Sequence, residues 1–138
     1  MQDVWQIFCD GSALPNPGRM AAGVLILAPD GSETRLSQLL PGHGDNNEAE
    51  LRALLLALQT AQSLGARCIA LHSDSRVLVD ELNGSAPRPY PGLSELFSSV
   101  REALARFDSA TLCWLPAHRN RVADELARAA LGLPARKP

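Results

Sequence analysis

Apolar and polar positions along this chain follow a strand rhythm first and then alternate between helix and strand. The run V-W-Q-I-F-C-D, Val4–Asp10, is rich in β-forming residues and predicts a strand ended by Gly11. Asn16-Pro17-Gly18 predicts a turn, because proline presets φ and glycine accepts positive φ. Ala21–Ala28 predicts a second strand, Pro29-Asp30-Gly31 a hairpin turn, and Glu33–Leu40 the returning strand. These three form an antiparallel meander. Asn47–Leu64 is a leucine-rich helix stopped at Gly65. A strand over Arg67–Ser73 follows, then a short helix over Ser75–Leu82 closed by Asn83-Gly84, and a proline-rich loop over 85–92. Leu93–Phe107 predicts a helix, Thr111–Leu115 a strand and Arg121–Leu131 the last helix. The tail from Gly132 contains no ordering element and is expected to be flexible.

A meander followed by β-α-β units implies an α/β fold with one five-stranded mixed sheet, three antiparallel strands and two parallel ones, flanked by helices. Ligands of such sheets gather beyond the carboxyl ends of strands, where the pattern places Asp10 and Asp74. The 138 residues suffice for one core without staples, so 1–131 reads as a single domain and 132–138 as its tail. No apolar run approaches the roughly 18 residues of a membrane span, and no basic region followed by an apolar core opens the chain. Cys9, Cys68 and Cys113 each fall inside an apolar run, with no C-x-x-C, as in a reducing compartment. A cytoplasmic, monomeric protein with no membrane partner is the expectation.

Charge divides the chain. The net −2 combines −5 over residues 1–50 (two Arg, seven acids) with +3 over 51–138 (eleven Lys plus Arg, eight acids). Nucleic-acid-binding domains are usually basic, but part of this acidity would be a metal site, cancelled when cations bind. Net charge alone neither requires nor excludes a nucleic-acid partner.

Four acids stand at element ends: Asp10, Glu50, Asp74 and Asp124. Taken singly, Asp10 could make an Asx turn, Asp74 an N-cap, and Asp124 a complement to a helix dipole or a partner of Arg128. Glu50 is better discriminated, because Glu48 serves as its control. At about 100° per residue, Glu48 falls with Arg52 and Gln59 on a polar face, whereas Glu50 falls with Leu54, Ala57 and Ala61 along the leucine stripe. An acid there points at the sheet, where a lone charge is expensive to desolvate. Four gathered carboxylates would repel one another by roughly 4 kcal/mol per pair at ~4 Å and an effective dielectric of ~20. Divalent cations remove that conflict, and all-oxygen ligation selects Mg²⁺ or Mn²⁺ over zinc. Magnesium-dependent phosphodiester chemistry is the leading reading.

The pieces D-G-S-x-x-x-N-P-G (Asp10 to Gly18), N-N-x-x-E-L (Asn46 to Leu51), S-D-S (Ser73 to Ser75) and W-L-P-A-H-R-N-R-V-A-D-E-L-A (Trp114 to Ala127) occur in this order. In them the chain resembles ribonuclease H of type 1, over residues 4 to about 131. The resemblance implies an endoribonuclease that cleaves the RNA strand of RNA–DNA hybrids by two-metal hydrolysis, leaving 5′-phosphate and 3′-hydroxyl ends. It assigns metal and catalysis to Asp10, Glu50, Asp74 and Asp124, and substrate contact to Gly11, Ser12, Asn16, Asn46 and Asn47. His118, in the loop P-A-H-R-N, lies in the region where longer members carry a mobile histidine for proton handling or product release. An ordinary solvated loop histidine is the alternative.

The chain departs from the family pattern in substrate binding. The segment S-A-P-R-P-Y-P-G fills the place of a Lys/Arg-rich, Trp-containing handle, and Asp45 stands where a phosphate-touching threonine is frequent. Arg76, just past Asp74, with Arg119 and Arg121, are the cations placed to compensate. Two rivals stay open: a non-catalytic nucleic-acid-binding module on this fold, and a transposase-type strand-transfer domain using Asp10, Asp74 and a late acid such as Glu125.

Overall fold

The computed structural model describes residues 3–84 and 92–137. Its sheet is built from β1 (Trp5–Leu14), β2 (Gly18–Leu27), β3 (Glu33–Gly44), β4 (Cys68–Ser73) and β5 (Ser109–Trp114), ordered β3-β2-β1-β4-β5. β1 to β3 form the antiparallel meander, and β4 and β5 extend it in parallel, as the sequence predicts. The helices are α1 (Asn46–Ser63), α2 (Arg76–Asn83), α3 (Ser94–Ala105) and α4 (Arg121–Ala130). The proline-rich segment lies outside the described residues except for Gly92. No helix among the described residues is long and apolar enough to cross a membrane.

The meander strands run past their predicted ends. β1 does not stop at Gly11, because its ladder with β2 continues from Gln6–Leu27 to Leu14–Arg19. β2 accordingly starts at Gly18, and β3 continues to Gly44. Asp10 is therefore a mid-strand residue of β1. It nevertheless lies one position beyond the parallel pairing with β4, which ends at Cys9–Ser73. The carboxyl end that matters belongs to the parallel half of the sheet.

Alternation sorts β1 and β2 onto two faces. Ile7, Cys9, Ala22, Val24 and Ile26 face one core with Leu51, Leu54 and Leu58 of α1 and Phe97 and Val100 of α3. Each buried leucine of that stripe contributes on the order of 2 kcal/mol by removing apolar surface from water. α4 covers the opposite face, packing on β1, β2 and β3. A Cβ on Gly23 of β2 would fall 2.0 Å from the Ala123 carbonyl oxygen and 2.6 Å from the Ala127 nitrogen. Only a glycine lets α4 seat that deeply.

Candidate active site

From Asp10 onward, the edge of β1 that faced β4 has no strand beside it, so side chains from both sheet faces can meet there. α1 reaches this edge over Gly11, where a Cβ would stand 2.1 Å from the Ala49 carbonyl oxygen. The Gly11 backbone N–H lies close enough to the Glu50 carboxylate to offset part of the upward shift of its pKa. Asp74 arrives directly after β4. One carboxylate oxygen from each of Asp10, Glu50 and Asp74 lies within 4.8 Å of the others. Asp124, from the first turn of α4, joins from the opposite face through side-chain contact with Asp10. Asp10 is thus the hub, with Glu50 on one side and Asp124 on the other.

The cluster is electrostatically strained. Asp10 is only 7% exposed. Burial raises its carboxyl from 3.8 to about 7; the charges of Asp74 and Asp124 add to the rise, and hydrogen bonding with Glu50 offsets part of it. Burial, followed by the charge of Asp10, holds Glu50 well above the usual carboxylate range. Asp74 is raised mainly by burial, opposed by a hydrogen bond from Asn120. Glu50 Oε2 is buried without a hydrogen-bond partner. Such a group normally has one. A convergent all-oxygen set with an orphaned acceptor suits a hard divalent cation. Cys9 stands behind the cluster, yet it is no competing ligand. Burial and three neighbouring acids push its thiol well up, and Sγ contacts the His72 carbonyl oxygen at 3.6 Å.

One positioning residue escaped the sequence reading. Asn120 precedes α4 and reads there as a helix cap, but its side chain makes no capping bond. Only 1% exposed, it donates from Nδ2 to the Cys9 carbonyl oxygen (2.9 Å) and to Asp74 Oδ2 (3.0 Å). It thereby ties the middle of β1 and the residue just after β4 to the start of α4. Trp114 Nε1 adds a 3.2 Å bond to the Asp74 carbonyl oxygen. Within W-L-P-A-H-R-N-R, no spacing separates a capping asparagine from one that turns inward.

The expected substrate residues divide into tethered and open ones. Asn16 Oδ1 accepts from the Asn46 N–H at 3.0 Å, and Asn46 Oδ1 accepts from the Ala13 N–H at 2.9 Å. This pair of bonds fastens the β1–β2 turn to the start of α1. Ser12 is half-buried on β1, and Asn47 is exposed in the first turn of α1. Asp45 is the N-cap of α1, accepting from the Glu48 N–H at 2.8 Å. Arg76 lies with its Cζ 4.9 Å over the Trp114 ring, at the rim beside Asp74. His118 sits exposed on a short 3-10 turn, Ala117–Arg119. It lines a cleft of about 340 Å³ with Asp74, Asp124, Arg121 and Arg136. Arg119 lines an adjoining hollow beside Phe8, which shares His118 and Arg121 with that cleft.

Two charge pairings sharpen the sequence reading. Glu48 bonds Arg52 Nε at 2.8 Å on the polar side of α1, as its periodicity predicts. Arg128, the i+4 candidate for Asp124, instead donates to the Pro134 carbonyl oxygen at 3.0 Å. Asp124 is taken by Arg136, with Nε at 2.8 Å from Oδ2 and Nη2 at 3.4 Å from Oδ1. The C-terminal residues, for which the sequence offers no ordering element, return to the site.

Comparison with known proteins places this geometry. The family model described as reverse transcriptase-like matches residues 8–130. The bifunctional protein Rv2228c of Mycobacterium tuberculosis is 32% identical over 126 residues, covering 91% of this chain; the chain spans only 35% of that protein's length. The crystal structure of RNase H1 from the archaeon Halobacterium salinarum superposes with a TM-score of 0.87 at 32% identity, covering 94% of this chain and 98% of the other. LC11-RNase H1, solved in complex with an RNA/DNA hybrid, superposes with a TM-score of 0.80 at 28% identity, covering 93% and 96% of the two chains.

Proposed function

The chain belongs to the type 1 ribonuclease H family, and from that premise we propose that it is an endoribonuclease cleaving the RNA strand of RNA–DNA hybrids. The carrying observation is the meeting of Asp10, Glu50 and Asp74 within 4.8 Å around an orphaned, buried Glu50 oxygen. Asp10, Glu50, Asp74 and Asp124 would hold Mg²⁺ or Mn²⁺. Divalent ions bound there supply an activated water and charge stabilisation at the leaving oxygen.

The protein's own groups prepare that chemistry. The close seat of α1 over Gly11 places Glu50, and the Asn120 amide aims Asp74. Tethering through their Oδ1 atoms leaves the amide nitrogens of Asn16 and Asn46 as donors for ribose hydroxyls, the groups that distinguish RNA from DNA. Gly11, Ser12 and Asn47 complete that track. Arg76, steadied on Trp114, meets phosphate as a charge without base preference. His118 handles a proton at the cleft wall, a role that His118→Ala tests through turnover at unchanged divalent-ion affinity. Retention of the acid cluster supports hydrolysis over a purely binding module, which would gain from losing this negative charge. Free cysteines, two of them buried, fit a reducing cytoplasm.

Incubation of the purified protein with labelled hybrid, duplex DNA and duplex RNA, in Mg²⁺, Mn²⁺ or EDTA, tests the proposal. Cleavage confined to the RNA strand of the hybrid, ion-dependent and leaving 5′-phosphate ends, is expected. Equal cutting of duplex DNA, or undiminished cutting in EDTA, would overturn it.

A further inference from the structure

The C-terminal segment is held on the site by a defined helix stop. Gly132 adopts φ +77°, and its N–H donates to the Ala129 carbonyl oxygen at 3.0 Å. The Leu133 N–H donates to the Arg128 carbonyl oxygen at 2.9 Å. This 6→1 and 5→2 pair is the arrangement that reverses a chain after a helix. Leu131 is buried, and Arg128 Nε closes the strap on the Pro134 carbonyl oxygen. The strap delivers Arg136 to the one acid of the four that lies outside the tight trio. Its guanidinium contacts both oxygens of Asp124, whose side chain is 21% exposed.

Arg136 already takes one lone pair on each Asp124 oxygen and sets its own positive charge beside them. A divalent ion approaching Asp124 therefore meets a cation and a carboxylate already engaged, whereas the Glu50 side of the cluster meets no such rival among the described residues. Building on the metal-site reading above, we propose that Arg136 is a built-in competitor for the divalent cation at Asp124. It fills that carboxylate in the ion-free protein and selectively weakens the cation step that uses Asp124. The two steps of ion binding are then separated in affinity, and the strap sets the ion concentration at which the site fills.

The test is Mn²⁺ binding without substrate, followed by calorimetry and by the free-ion electron paramagnetic resonance signal, on the full chain. Arg136→Gln should tighten the weaker step about fivefold, the scale of a partly exposed ion pair, and leave the tighter step unchanged. Lys137→Gln is the control for through-space charge, because Lys137 lines the same cleft. It should change the weaker step less than twofold. The Arg136→Gln effect should vanish in an Asp124→Asn background, as a double-mutant cycle requires of a direct contact. Equal effects of the two tail substitutions, or no effect of Arg136→Gln, would overturn the competition while leaving the metal site standing. Mn²⁺ binding indifferent to Asp10→Asn would instead overturn the metal-site reading, and the competition with it.

Discussion

Gly23 stands directly across the β1–β2 ladder from Asp10, and α4 rests on it at a depth that no Cβ would permit. The two residues act as one device: the glycine lowers the helix that carries Asp124 onto the strand that carries Asp10. Gly11 does the same on the other sheet face for α1 and Glu50. Gly23→Val should therefore push α4 outward at a cost of roughly 1–3 kcal/mol. Hybrid cleavage is expected to fall well beyond what that lost stability explains. A lowered melting temperature with full turnover would show that Asp124 needs no such seating.

The two nearby glutamates should separate cleanly. Glu50→Gln removes a carboxylate from the trio and should abolish cleavage. Glu48→Gln only weakens a half-buried i,i+4 pair with Arg52, worth about 0.2–0.5 kcal/mol, and should keep nearly full activity. Circular dichroism melts and turnover of both variants check this. Strong inactivation of Glu48→Gln would move the functional acid one helical face away.

That discrimination was available from periodicity alone, and so was the order of strands and helices. Strand length was not, because Gly11 ends a local pattern yet stays in β1 through its ladder to β2, a tertiary contact. Asn120 was hidden for a similar reason, since a capping asparagine and an inward-turned one look alike in sequence. The returning tail was not read from the sequence, because its order rests on contacts that only the fold supplies, the Arg128 bond to Pro134 and the Arg136 pair with Asp124.

Stability should depend on pH in the opposite sense to ordinary salt-bridged acids. Without divalent ions, Asp10 titrates at about 7 in the folded chain instead of 3.8, and Glu50 and Asp74 are raised as well, mainly by burial. A raised folded pKa means stability present below about pH 4 and lost as pH climbs through about 7. For Asp10 the shift corresponds to on the order of 4 kcal/mol across that window. Melting temperatures in EDTA should be lower at pH 8 than at pH 5.5, and Asp10→Asn should flatten the difference. A profile rising with pH would contradict this.

Affinity for hybrid should be modest. No basic handle is present in the sequence, and Asp45 adds a negative charge at the start of α1. A log–log salt slope of about −2 to −4 follows from about 0.9 per phosphate contacted. Asp45→Thr should tighten binding at unchanged fold, since threonine also caps a helix and here replaces the Asp45–Glu48 capping bond. Arg76→Ala should weaken binding and make the slope shallower by about one. Fluorescence anisotropy over a salt series measures both. Nanomolar binding that persists in high salt would place the binding surface elsewhere.

Asp10 has a carboxylate oxygen within 4.8 Å of Glu50 and Asp74 and meets Asp124 on the other face, so turnover of labelled RNA–DNA hybrid by Asp10→Asn in saturating Mg²⁺, alongside the parent chain, is the most direct measurement. The parent should cut the RNA strand and leave 5′-phosphate ends, and the variant should be inactive while folded and at least as stable in EDTA. Full Mg²⁺-dependent turnover by folded Asp10→Asn would contradict the assignment of this cluster as the catalytic centre.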